Sequence, residues 1–133
     1  MLKWLIGVAV LLGAAMIVFY HTTSTGILLR YLNAHPHSAL APAVPLYAGE
    51  FYFMFSQSDI ADPYYTWVRE HFADTEAGQR AYYDQLVEAQ YVEHLKSTDC
   101  EVFLQKYPSG PYSGAVEQLK LLMQRRESSV GAG

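Results

Sequence analysis

The chain of 133 residues has room for one small domain and a membrane anchor. Nine Lys and Arg against 13 Asp and Glu give a net charge of −4, and no clustered basic face is present to bind nucleic-acid phosphates. A single cysteine, Cys100, excludes an internal disulfide.

Residues 1–21 read as a membrane anchor. Leu2 to Tyr20 is almost wholly apolar, with Lys3 its one charge, and about 20 such residues span a bilayer as a helix. Trp4 and Tyr20 bracket the stretch as interfacial aromatics do. A cleaved signal peptide is the rival reading, but Ile17-Val18-Phe19-Tyr20-His21 is too bulky for its cleavage pattern. No cysteine follows the apolar run, so a lipoprotein signal is excluded. Lys3 and the amino terminus favour an N-inside orientation, with the rest of the chain outside the cytoplasm. Ala9 and Gly13, four apart, have the small-xxx-small spacing of a contact between membrane helices, although small residues are common in any such helix.

Residues 22–26 read as a polar linker, and residues 27–126 as a helical domain. Ile27 to Ala34 predicts a short helix. Pro42 and Pro45 disturb the next one, which is expected to begin late, near Pro45, and run to about Gln57. It carries Leu46, Phe51, Phe53, Met54 and Phe55, many large apolar groups for its length. Asp62-Pro63 predicts the next helix start, a cap followed by proline at the first position, with an end at Phe72. The helix after Thr75 places Ala77, Ala81, Leu86 and Ala89 at helical spacing and is expected to end near Lys96. Thr98 with Glu101 suggests a capping box for the following helix, whose apolar positions are Cys100, Phe103, Leu104 and Tyr107. The last helix places Val116, Leu119 and Met123 on one face, and residues 127–133 read as a flexible tail. No segment carries a strand pattern, so the expected fold is all-α.

One phrase recurs through this domain. His35-Pro36-His37-Ser38, Phe72-Ala73-Asp74-Thr75 and Tyr107-Pro108-Ser109-Gly110 each end one amphipathic stretch on a ring and supply a cap for the next. A small residue follows three positions after each cap, at Ala41, Gly78 and Ser113, where a neighbouring element can approach closely. A period of this size marks stacked helical hairpins. The third copy, Tyr107-Pro108-Ser109-Gly110-Pro111-Tyr112-Ser113, resembles the Tyr-Pro-Asp-Ser-Pro-Tyr-Ala phrase of tetratricopeptide-type repeats in bacterial envelope proteins, especially outer-membrane assembly lipoproteins and Tol–Pal coordination proteins. Tyr47-Ala48-Gly49-Glu50 resembles the start of that group's interrepeat helix. The resemblance covers roughly residues 28 to 124 in three imperfect units. It implies about three such hairpins and a periplasmic scaffold, and it carries over no catalytic residue.

Motifs for catalysis are sparse. His35 and His37 lack further ligands at metal-binding spacing. Glu70, Asp74 and Glu76 cluster around a turn, where acids near a helix start are expected. Cys100 falls at a packing position of the repeat. There is no phosphate loop or nucleophile elbow. The expectation is therefore a non-enzyme without cofactor, metal or small-molecule substrate. It reads as a single-pass protein of the bacterial inner membrane, held through residues 2–20, whose domain faces the periplasm and holds protein partners in a larger complex. A free-standing envelope factor that binds passing peptides, outer-membrane proteins or cell-wall material is the alternative, and a mitochondrial inner-membrane location is a second address. Phe51, Tyr52, Phe55, Tyr64 and Trp67 are the expected partner-binding anchors.

Overall fold

The computed structural model describes residues 1–132. Seven helices and no strand occur among them. They form two compact units, Met1–Ala41 and a second that begins at Pro42. The boundary therefore falls after the first copy of the recurring turn, not in the segment 22–26.

In the first unit, α1 (Leu2–Ser24) is long and apolar enough to cross a membrane. At 1.5 Å per residue it is about 35 Å long, against a hydrocarbon core of about 30 Å. Its surface is exposed from Leu2 to Val18. The expected linker is mostly helix. Thr22 Oγ1, Thr23 Oγ1 and Ser24 Oγ donate to the carbonyls of Val18, Phe19 and Tyr20 at 2.8, 2.6 and 2.6 Å. Hydroxyls satisfied on their own helix let a polar run continue it. The break comes at Gly26, whose φ of 75° is one that glycine adopts freely. Then α2 (Ile27–Ala34) follows, as the sequence predicts.

In the second unit, α3 (Ala43–Met54) starts earlier than expected. Pro45 is its third residue, still within the first turn, where no intrahelical N–H bond is lost. The helix stops at a Schellman motif: Ser56 N–H donates to the Phe53 carbonyl and Gln57 N–H to that of Tyr52, both at 2.9 Å, with Ser56 at φ 57°. Next, α4 (Ser58–His71) begins four residues before Asp62, so Pro63 lies inside it. The Gln57 carbonyl accepts from both Ile60 and Ala61 and starts the helix instead. Asp62 serves as a latch: its Oδ1 accepts from Gln85 Nε2 at 2.5 Å, and the same nitrogen reaches Thr66 Oγ1 at 3.0 Å.

As predicted, Thr75 caps α5 (Glu76–Tyr91), its Oγ1 accepting from Gly78 N–H at 3.2 Å. A Cβ on Gly78 would collide with the Phe72 carbonyl oxygen, so the close approach expected there is real and comes from the end of α4. The helix ends at Tyr91, short of Lys96, at a second Schellman motif: Glu93 N–H donates to Gln90 and His94 N–H to Ala89, with Glu93 at φ 59°. Leu95, just past this turn, is buried.

The Thr98–Glu101 box is not formed. At the start of α6 (Ser97–Lys106), the Asp99 carboxylate accepts from Lys96 N–H at 2.9 Å. Glu127 completes the cap from α7 (Ser113–Gly131), accepting from Ser97 N–H at 2.9 Å and Ser97 Oγ at 2.7 Å. This contact anchors the segment read as a flexible tail, which is helical to Gly131. The third turn is closed by Ser113, whose Oγ accepts from Gly110 N–H at 2.8 Å and donates to the Tyr107 carbonyl.

Helix α4 packs on both α3 and α5, and α6 packs on α7. The hairpin of α6 and α7 joins α5 through a core of Leu86, Leu95, Cys100, Phe103, Val116, Leu119 and Met123. Burying a large apolar side chain in it contributes about 2 kcal/mol. Cys100 lies fully inside, and burial pushes its thiol up to about 11, away from reactive thiolate.

One device recurs at a spacing of 36 residues. Tyr31 stacks on His35 with centroids 4.6 Å apart, Trp67 on His71 at 4.2 Å, and Phe103 packs on Tyr107 at 5.2 Å. Each pair sits one turn apart at the end of its helix, where aromatic contact adds about 1 kcal/mol.

Candidate partner-docking surface

Three of the five expected anchors are enclosed. Tyr52, Tyr64 and Trp67 are 0%, 1% and 4% exposed. The reason is local. Gly49 presents bare backbone to α4, and a Cβ there would stand 2.8 Å from the Tyr65 ring. The two helices therefore approach closely and draw their rings inward. Phe51 is half-buried, edge-on to Tyr52 at 5.3 Å. Of the five, Phe55 alone is well exposed. In the first unit, Ala9 and Gly13 are exposed on α1, with nothing within 4 Å of a Cβ placed on Gly13.

One accessible apolar surface of the second unit lies at the ends of α3 and α5 and includes Phe55. Met54 and Tyr91 are 74% and 75% exposed, with Phe55 and Val92 beside them in the chain. Phe53 and Tyr91 meet edge-on at 5.6 Å and bring the ends of α3 and α5 together around a depression of about 380 Å³. Tyr91 also lines a groove of about 630 Å³ between α5 and α7. One wall is Tyr83, Val87 and Tyr91, spaced i, i+4, i+8. The other is Ala115, Leu119 and Leu122, spaced i, i+4, i+7. Such spacings place each set on one helix face. Tyr83 stacks on Tyr112 at 5.3 Å beside the groove. The lining has one acid, Glu93, and one base, Arg126; Gln90 and Gln118 supply neutral amides.

Residues of α3, α4 and α5 form a polar cluster that sequence reasoning missed. Arg80 Nη2 of α5 pairs with Glu50 Oε1 of α3 at 2.6 Å. Asp84, one turn along α5, is within hydrogen-bonding reach of the Glu50 carboxylate. Tyr65 from α4 is fully buried and its hydroxyl has no partner; Asp84 Oδ2 and Glu88 Oε2 are buried and unpartnered as well. Burial and then the Glu50 charge push the Asp84 carboxyl up to about 7. Burial likewise raises Glu88, against a lowering hydrogen bond from Ser58. Tyr65 is raised by burial and by the charges of Asp84, Glu50 and Glu88.

A signal for this cluster existed. The 35-residue offset that relates Gly78 to Ser113 and Ala81 to Val116 also relates Asp84 to Leu119 and Glu88 to Met123. Two acids thus stand where the next copy of the pattern has core residues. A stripe at Tyr83, Val87 and Tyr91 was equally legible in the spacing.

Among the described residues, no group of three His, Cys, Asp or Glu side chains is placed to hold a metal ion. His35 stacks on Tyr31, with its Nδ1 3.1 Å from the Tyr31 carbonyl oxygen. No protein-family model, curated protein or solved structure matches the chain.

Proposed function

We propose that the chain is a membrane-anchored protein-interaction module, an accessory or assembly subunit that holds a partner through the α5–α7 groove. The observation that carries this reading is the exposed apolar strip from Met54 through Tyr91 to Leu122. Exposed side chains of this size, grouped on one surface, are uncommon unless something covers them. The occupant we assign is an apolar, electrically neutral helical segment of another protein. Two helix faces with apolar ridges one turn apart accept a third helix by ridge-and-groove packing. A lining with one charge of each sign matches a neutral segment and gives a highly charged peptide nothing to pair with.

The repeated ring pairs and the recurring turn support reading the helices as stacked hairpins of the tetratricopeptide type. In this reading α1 holds the module at a bacterial inner membrane, and Lys3 with the amino terminus on the cytoplasmic side puts the groove in the periplasm.

The test is purification of the full chain in mild detergent with its complex. The partner co-purifies at a fixed ratio with the wild type, and Val87→Asp, in the groove wall, loses it. The control Gln124→Asp, on the exposed side of α7, keeps it. A substoichiometric and variable set of clients, equally retained by both variants, contradicts the subunit reading and favours the free-standing factor.

A further inference from the structure

We propose that Glu50 and Asp84 form a proton-binding site between α3 and α5, holding one proton between their carboxyl groups, whose loss loosens α3 from α5. The case rests on how the groups are placed. Asp84 Oδ2 is buried with no donor in reach, and the group opposite is the Glu50 carboxylate, itself an acceptor. Two acceptors at hydrogen-bonding distance make a bond only when a proton lies between them.

The charges around the pair require that proton. From α5, Arg80 neutralises one carboxylate, at 2.6 Å from Glu50. Glu88, on the next turn of α5, is 7% exposed and adds a further acid. From α4, Tyr65 brings a neutral hydroxyl that is buried and unpartnered. Asp62 of α4 acts on Glu88, raising it. Tyr112, before α7, faces Arg80, Asp84 and Glu76 as a neutral phenol held by burial and by the Glu76 hydrogen bond. Glu50 and Asp84 therefore share the one guanidinium, with Glu88 adding repulsion on Asp84, in a setting where unpaired charge is costly. Binding a proton at Asp84 removes the excess next to Glu50 and supplies the missing donor at once.

The site is independent of the groove. It needs only that α3 and α5 touch, which they do. Asp84 in the unfolded chain ionises at about pH 4, whereas in the fold it keeps its proton to about 7. Across that window the folded state binds the extra proton, so each rising pH unit shifts the folding equilibrium up to about tenfold toward unfolding. Above the window the penalty is complete and the slope from this site vanishes.

The experiment uses the full chain in detergent micelles. Amide hydrogen exchange of α3 and thermal unfolding are followed from about pH 5 to about pH 8, for wild type and Asp84→Asn. The D84N variant keeps a donor facing Glu50 and has no proton to lose. Wild-type α3 exchanges faster, beyond the intrinsic pH effect, as pH rises, while D84N shows a smaller rise, with only the raised Glu88 left to titrate. Glu88→Gln retains the wild-type step, which separates the two acids. Equal pH profiles for wild type and D84N overturn the proposal. Should D84N not fold, carboxyl-carbon NMR titration of the wild type decides it: Asp84 titrating near neutrality supports the site, and ordinary carboxylate titration at both Glu50 and Asp84 overturns it.

Discussion

The Tyr107 hydroxyl donates to the Ala73 carbonyl at 2.6 Å, tying the end of α6 to the turn between α4 and α5 across 34 residues of chain. The recurring turn phrase thus supplies both ends of a tertiary bond: a ring from the third copy and a carbonyl from the second. Tyr107→Phe keeps the ring packing against Phe103 and Tyr82 and removes only the donor. It should cost about 1 kcal/mol, the usual net contribution of one such bond. Urea unfolding with an unchanged m-value checks it, and an unaltered midpoint would show that solvent replaces the bond without loss.

Glycine at two positions of α5 and α7 predicts opposite outcomes. Gly78→Ala drives a methyl into the Phe72 carbonyl oxygen, which is backbone and cannot rotate away. Overpacking of this kind costs about 2 kcal/mol. Gly114→Ala, near the start of α7, meets nothing within 4 Å and should stabilise by about 0.5 kcal/mol through helix propensity. Thermal unfolding of the pair should move in opposite directions.

Both Schellman turns carry a residue with a side chain at positive φ, Ser56 at 57° and Glu93 at 59°. A Cβ in this conformation is disfavoured by about 1 kcal/mol. Ser56→Gly and Glu93→Gly should each raise stability by about 0.5–1 kcal/mol. A loss at either site would mean that its side chain makes a contact stronger than the strain.

Stability should peak at about pH 4, where the Glu127 gain and the onset of the Asp84 loss meet, and fall on both sides. On the acid side, Glu127 is held below its ordinary 4.5 by the Ser97 backbone and side-chain hydrogen bonds. Its contribution is present above that ordinary value and lost as pH falls through the lower folded one. On the alkaline side the raised groups act in reverse. Asp84, held near 7 by burial and the Glu50 charge, contributes stability below its unfolded value that is lost as pH rises through the folded one; the raised Glu88 acts in the same direction. Glu127→Gln should flatten the acid limb alone, and Asp84→Asn should make the alkaline limb alone shallower, leaving the Glu88 part. Unfolding midpoints across pH separate the two.

Helix type and the Thr75 cap were legible because local chemistry decides them. Thr75, the apolar run of α1 and the packing stripe of α5 each act within a few residues of themselves. Boundaries were less so. The start of α4 depends on Gln57, whose carbonyl takes two N–H donors, and Asp62-Pro63 outweighs it in any local reading. The start of α6 depends on Glu127, 30 residues away. The expected anchors Tyr52, Tyr64 and Trp67 were misplaced for a related reason: composition shows that rings are dense, but only the bare backbone of Gly49 against Tyr65 decides which ones go inside. Asp84 and Glu88 were missed because acids on a helix ordinarily face water.

The most direct test of the docking surface places a photo-crosslinking amino acid at Leu122 in the full chain in its membrane, with Gln124, exposed on the same helix, as the control position. The account predicts a crosslink from position 122 to an apolar helical segment of one other protein, abolished by Val87→Asp and absent from position 124. Equal crosslinking from both positions, or products at 122 formed only with lipid or with a second copy of this chain, would contradict it.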